Sequence, residues 1–191
     1  RRLASTLGGT KDRRQVHLNP DHFLETPAGR VWSAERNAWA WSQCFDALPT
    51  ALAAARATGG WLYVLVGAQG SGKSTWASSR RQREPNCVIF DAILVKRSER
   101  EPILRQARAA GVPAAAVWFR TPLEDCLARN AVRPADEVAD EQGLRNVFAA
   151  LEAPSLDEVR HQQQQRDRQD STRADSPLHV AEGVLVIDTT D

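Results

Sequence analysis

Eight consecutive residues, Gly67-Ala68-Gln69-Gly70-Ser71-Gly72-Lys73-Ser74, satisfy the pattern G-x-x-x-x-G-K-[ST] at every fixed position. Each residue type has a chemical reason. Glycines let successive backbone N–H groups turn inward and approach an anion with no Cβ in the way. Lys73 adds an ammonium that reaches the β- and γ-phosphates of a nucleoside triphosphate, and the Ser74 hydroxyl is a ligand for Mg²⁺. The bland alternative is a glycine-rich turn with an incidental lysine, and the flanking pattern argues against it. Trp61 to Val66 is a continuous apolar run, as expected for a parallel strand buried on both faces. Lys73 to about Gln82 reads as a helix whose N-terminus adds its positive dipole end. Gly67 through Ser74, with Thr75 behind them, are therefore the expected nucleotide-binding residues, with ATP and Mg²⁺ as the ligands.

Other elements must carry this loop, and their signals alternate. Gln15 to Leu18 alternates polar and apolar residues before Asn19-Pro20-Asp21, a short strand running into a turn. Thr26-Pro27-Ala28-Gly29 is a second loop. Ser33 is placed to cap a long helix from Ala34 to about Arg56, with Pro49 expected to split or kink it and Thr58-Gly59-Gly60 to stop it. Cys87 to Phe90 is a strand ending at Asp91. Ser98-x-x-Glu101 has the capping-box pattern for a helix closing at Gly111. Pro113 to Phe119 is the next strand, and Thr121-Pro122-x-Glu124 supplies an N-cap, a first-turn proline and an acid for another helix. Asp136 to Leu151 is helical in pattern, and Ser155-x-x-Glu158 caps one more short helix. Residues 161–177, rich in Gln, Arg and Asp, read as a mobile linker, and residues 183–188 as a last strand. Strands alternating with helices predict a single α/β domain with a parallel sheet covered on both faces.

Gly70-Ser71-Gly72-Lys73-Ser74-Thr75-Trp76-Ala77 resembles the loop of polynucleotide kinases and their small-kinase relatives, zeta toxins among them. Val117 to Pro134 is similar to that family's strand, helix and Arg-Asn-x-x-Arg lid, with Arg129 and Arg133 at the two arginine positions. Leu185-Val186-Ile187-Asp188-Thr189 resembles the last core strand of many small P-loop kinases. The likeness covers about residues 61–159 and the end of the chain. It implies a P-loop NTPase fold, a three-layer sandwich with a mostly parallel sheet of about five strands and a helical lid. The implied activity is transfer of the γ-phosphate of ATP to a hydroxyl, on a small molecule or a polynucleotide 5′ end. Arg129 and Arg133 would close over the phosphates; the bland reading is a solvated helix end.

The order of segments departs from that family. There, a strand bearing the catalytic aspartate follows the P-loop helix; here that helix leads straight to Val88-Ile89-Phe90-Asp91, which resembles the family's next strand. Val16 to Phe23 looks like the missing strand and turn, so residues 14–58 read as a displaced, acceptor-side strand and helix. On that likeness Asp21 is the general base; otherwise it is a turn aspartate after proline. Asp91, at a strand's C-terminal end, either orients Mg²⁺ through water or caps the following segment. Two family positions are changed. Ala92-Ile93-Leu94 follows Asp91 where the family has an asparagine, and the family's substrate-holding arginine falls on Leu24, with Arg30 and Arg36 as possible substitutes.

Composition sets the limits. The chain has 191 residues, 42% hydrophobic and 26% charged, with a net charge of +1. That balance offers no general attraction to nucleic acid and, with the change at Leu24, favours a small acceptor. The apolar runs fall short of the ~18–20 residues of a membrane span, and no signal peptide is visible. Absence of methionine predicts a start codon upstream of Arg1. The cysteines Cys44, Cys87 and Cys126 are odd in number and far apart, as expected for reduced core thiols in a cytoplasmic protein. Of the six tryptophans most are expected in the core; Trp39 and Trp41, two apart on a helix, cannot share a face. An ATPase or a nucleotide-dependent regulatory protein without an acceptor is the rival to the kinase.

Overall fold

A computed structural model describes residues 16–27 and 29–154 and the backbone of 184–187. The expectations for residues 1–13, for the helix capped by Ser155 and for the 161–177 linker lie outside these residues. The chain runs β1 (Val16–Leu18), a 3-10 helix (Pro20–Phe23), β2 (Glu25–Thr26), β3 (Gly29–Arg30), α1 (Ala34–Ala57), β4 (Leu62–Val66) and α2 (Lys73–Arg83). It continues through β5 (Val88–Asp91), α3 (Arg97–Ala110), β6 (Ala114–Phe119), α4 (Leu123–Ala131), α5 (Glu141–Ala149) and β7 (Val184–Ile187).

Five strands form one sheet in the order β1-β5-β4-β6-β7, and every pairing is parallel. All five residues of β4 are buried, which explains a run with no polar alternation. β1, first along the chain, lies at the sheet edge beside β5, separated from β4 by it. Registers Leu18↔Phe90 and Leu65↔Asp91 bring the C-terminal ends of β1, β4 and β5 level with one another. The turn after β1 therefore opens at the same end of the sheet as the phosphate loop.

Side chains divide between two faces. On one, α1 contributes Cys44, Leu48, Ala51, Leu52 and Ala55, a stripe at helical spacing, and α3 contributes Ile103, Leu104 and Ala107, all packed on Leu62, Val64, Val88 and Phe90. On the other, α2 lays Ala77 against Tyr63, Leu65, Ile89, Val117 and Phe119, with Trp76 beside them. A third cluster joins Ala68 of the loop to Cys126 and Leu144 of α4 and α5. The lid helices are thus anchored on the phosphate loop itself.

Four local expectations are corrected. Pro49 does not split α1, which runs unbroken over 24 residues. A mid-helix proline costs about 3 kcal/mol, while the neighbouring Leu48 and Leu52 are wholly buried and contribute about 1.5–3 kcal/mol each. The cap of α3 lies two residues upstream of Ser98: the Lys96 N–H donates to Glu99 Oε2 at 2.9 Å. Thr121 does not cap α4, which begins at Leu123; its Oγ1 donates instead to the Ser71 carbonyl at 2.9 Å. The helix expected from Asp136 begins only at Glu141, where the Asp140 carboxylate accepts from the Gly143 N–H at 2.8 Å. Ser33 does cap α1, accepting from the Arg36 N–H at 3.1 Å.

The described cysteines are free and buried. Burial pushes the Cys44 and Cys87 thiols up to about 11, so both stay protonated at neutral pH. Trp41 packs on Phe45 and Phe90 while Trp39 is half exposed, as their spacing requires. No helix among the described residues is long and apolar enough to cross a membrane.

Candidate functional site

The phosphate loop is held in a shape only glycine permits at its turns. Gly70 and Gly72 have φ of 78° and 96°, in the left-handed region. A Cβ on Gly70 would also stand 2.5 Å from the Cys126 carbonyl oxygen, so the loop lies directly on α4. Gly67 is needed for space, since a Cβ there would meet Ser71 Oγ at 2.7 Å. Thr121 closes the loop from behind through its bond to Ser71. The Ser71 hydroxyl is buried with no hydrogen-bond partner among the described residues. Such a group costs about 1–3 kcal/mol unless a polar ligand or water answers it, which fits a loop built around phosphate.

Lys73 opens α2 and folds back over the loop, its Nζ donating to the carbonyls of Gly67 at 2.8 Å and Ala68 at 2.9 Å. Burial holds this ammonium below the ordinary lysine pKa, Asp91 acts in the opposite sense, and Arg133 adds to the depression. A buried cation beside a second cation gains from an arriving polyanion.

Next along α2, the Ser74 hydroxyl donates to Asp91 Oδ2 at 3.2 Å. Asp91 is 2% exposed at the end of β5 and is a meeting point. The same oxygen lies 3.1 Å from His17 Nε2 and 3.3 Å from Asn19 Nδ2, which donates to it. A serine hydroxyl beside a carboxylate is a hard-oxygen pair suited to Mg²⁺, which keeps several waters and takes phosphate oxygens for the rest. The described residues contain no cluster of three or more His, Cys, Asp or Glu able to hold a metal by themselves. The donor set therefore fits a metal that arrives with a nucleotide.

Asn19 joins the two halves of the site. It caps the 3-10 helix after β1: its Oδ1 accepts from the Asp21 N–H at 2.9 Å while its Nδ2 holds Asp91. Asp21 itself is exposed, with the Arg30 guanidinium 3.6 Å from its carboxylate. Exposed pairs of this kind add about 0–1 kcal/mol, so Arg30 orients Asp21 more than it stabilises the fold. Arg36 is occupied elsewhere, donating to the Phe23 carbonyl at 3.1 Å. His22 packs edge-on against His17, and burial, followed by the charge on His17, lowers its pKa.

One cleft of about 1480 Å³ gathers the phosphate loop, Asp21, Arg30, Asp91, Arg129 and Arg133. Asp21, Lys73, Ser74, Asp91 and both lid arginines, read from separate stretches of sequence, thus face a common space. Gly67 and Ala68 do not line it but shape the loop from below. Four residues escaped the sequence reading: His17, Asn19, Thr121 as a loop clamp, and Arg30 as the partner of Asp21. Asn19 carried a usable signal, since asparagine before a proline turn commonly bonds a backbone N–H two residues on. The others act through partners many residues away, and no local pattern marks them.

A family model described as an AAA domain (AAA_33) matches residues 78–154, from within α2 to just past α5. The matched span is under half of the chain and starts beyond the phosphate loop. No curated protein matches the sequence. Fold and loop together are those of a P-loop NTPase domain.

Proposed function

We propose that this chain is an ATP-dependent phosphotransferase that moves the γ-phosphoryl group of ATP to a hydroxyl, on a small molecule or at a polynucleotide 5′ end. The observation that carries the reading is the shared cleft: an exposed carboxylate, Asp21, opens onto the same space as the phosphate loop and two arginines of the lid. Asp21, on the 3-10 helix after β1, is placed to take a proton from an attacking hydroxyl. The likeness to polynucleotide kinases and zeta toxins adds support, with β1 and α1 as the displaced acceptor-side unit.

In this reading the loop amides and Lys73 hold the β- and γ-phosphates. Ser74 and Asp91 would hold Mg²⁺, which supplies neutralisation of phosphate charge when bound. Asp21 accepts the proton of the acceptor hydroxyl as its oxygen attacks the γ-phosphorus, and ADP leaves. Arg129 and Arg133 close from the lid and stabilise the charge on the transferring group. Buried, protonated thiols accord with a cytoplasmic setting.

Incubation with γ-labelled ATP, Mg²⁺ and a panel of hydroxyl compounds tests this directly. Label on an acceptor supports the transferase; free phosphate with every acceptor unlabelled supports the rival ATPase or regulatory reading. That rival draws on two observations: Leu24 is buried where the resemblance calls for a substrate-holding arginine, and Ala92-Ile93-Leu94 stands where it calls for asparagine.

A further inference from the structure

The far side of the cleft differs chemically from the phosphate loop. Among the described residues six large apolar side chains remain exposed, and three of them, Trp32, Ile93 and Val138, line this one cavity. They come from three separate places: the segment before α1, the segment after β5, and the lid between α4 and α5. A single exposed apolar residue is ordinary. Convergence of three from distant elements on one cavity marks a surface that a ligand covers. Trp32 is 69% exposed and lines the same cavity as Asp21 and its partner Arg30.

Charge narrows the occupant. Asp21, Glu99, Asp136 and Glu137 line the cavity along with these apolar groups. Arg30 lies there too, but its guanidinium already faces Asp21 at 3.6 Å and Glu25 at 3.3 Å. Lys73 belongs to α2, Arg129 to α4 and Arg133 to the bend just after α4, and the proposed transfer assigns all three to the phosphates. An acceptor bringing its own phosphates would meet the carboxylates of Glu99, Asp136 and Glu137, and like charges repel. The volume, about 1480 Å³, exceeds the ~300–1,000 Å³ usual for one ligand and leaves room for a second compound beside a nucleotide.

We propose that the acceptor is a small, uncharged hydroxyl compound with a flat ring, which stacks on Trp32 with Ile93 and Val138 at its edges and turns its hydroxyl to Asp21. This rests on the phosphotransferase reading and narrows it: a nucleoside-like alcohol fits, a polynucleotide end does not. In the transfer, the acceptor oxygen forms a bond to the γ-phosphorus, the bond from that phosphorus to the ADP oxygen breaks, and the hydroxyl proton passes to Asp21.

Steady-state kinetics with adenosine, uridine, their 3′-monophosphates, a short 5′-hydroxyl oligonucleotide and glycerol tests the proposal. The nucleosides are expected to show the highest kcat/KM, and Trp32→Ala to raise their KM about tenfold while the KM for ATP stays unmoved. Glu137→Lys is expected to shift preference toward the 3′-monophosphates. Preference of the unaltered protein for the monophosphates or the oligonucleotide, or an unmoved nucleoside KM in Trp32→Ala, overturns it. Should no compound be phosphorylated, the transferase reading fails, and equilibrium dialysis with labelled adenosine judges the subsite separately. Adenosine retained by the unaltered protein and lost in Trp32→Ala keeps the subsite; no retention, or equal retention, removes it.

Discussion

The two walls of the cleft are built differently. The phosphate wall is one continuous segment, a buried strand, a glycine-shaped turn and a helix N-terminus, clamped by Thr121 and seated on Cys126. The opposite wall, the acceptor side in the proposed function, is assembled from the turn after β1, the β2–β3 hairpin, the start of α1, the segment after β5 and the lid, and its Asp21 is exposed. A polyanionic tail common to many proteins can be gripped by backbone amides, which any sequence with the right glycines supplies. A particular acceptor needs side chains, and side chains can be changed one at a time. The first wall is general; the second, in the proposed function, is specific, and Asn19 joins the turn after β1 to Asp91.

Asn19 is the narrowest part of that junction, and the first test of the contrast lies beside it. Asp21→Asn is expected to lower phosphoryl transfer about 10²–10⁴-fold while the Kd for ATP, followed by calorimetry, stays unchanged. A parallel loss of ATP binding would show that the walls are not separable. Lys73→Ala acts on the other wall, and is expected to lower turnover about 10²–10³-fold and to weaken nucleotide binding as well. Its thermal stability without nucleotide is expected to change little, because relief of the buried ammonium offsets the lost bonds to the Gly67 and Ala68 carbonyls.

Asn19→Asp keeps the oxygen that caps the Asp21 N–H but replaces the donor to Asp91 with a second negative charge. Turnover is expected to drop about 10–100-fold, with a changed Mg²⁺ concentration for half-maximal rate and a lowered melting temperature, since two carboxylates would meet in a buried site. An effect on melting alone would reduce Asn19 to a turn cap. Gly70→Ala tests rigidity: with φ at 78° and the Cys126 carbonyl in the way, it is expected to cost about 1–3 kcal/mol, read from denaturant unfolding, and to raise the KM for ATP. Full tolerance would mean that the loop adapts rather than being pre-shaped.

Legibility follows the same division. The phosphate loop could be read residue by residue because its chemistry is local: glycine spacing, lysine and serine act within one turn. The central strand was equally plain, since β4 is buried along its whole length. Errors came where tertiary contacts outweighed a local rule. Pro49 stays within α1 because Leu48 and Leu52 bury around it, and Thr121 leaves its expected cap to hold Ser71. The helix expected from Asp136 starts late because Asn130 binds the Ala139 backbone in both directions, at 2.8 and 3.0 Å, and holds the lid chain in an extended turn.

By itself, the order of residues determined the fold class and the glycine-shaped loop, since glycine backbone freedom, a helix dipole and apolar run length are properties of short segments. The resemblance had already put the first strand in the sheet in place of the family's missing one; tertiary structure decided that His17 and Asn19 meet Asp91 across more than seventy residues. Those bonds depend on strand register, a long-range quantity set by packing on both faces of the sheet, and no local pattern encodes it.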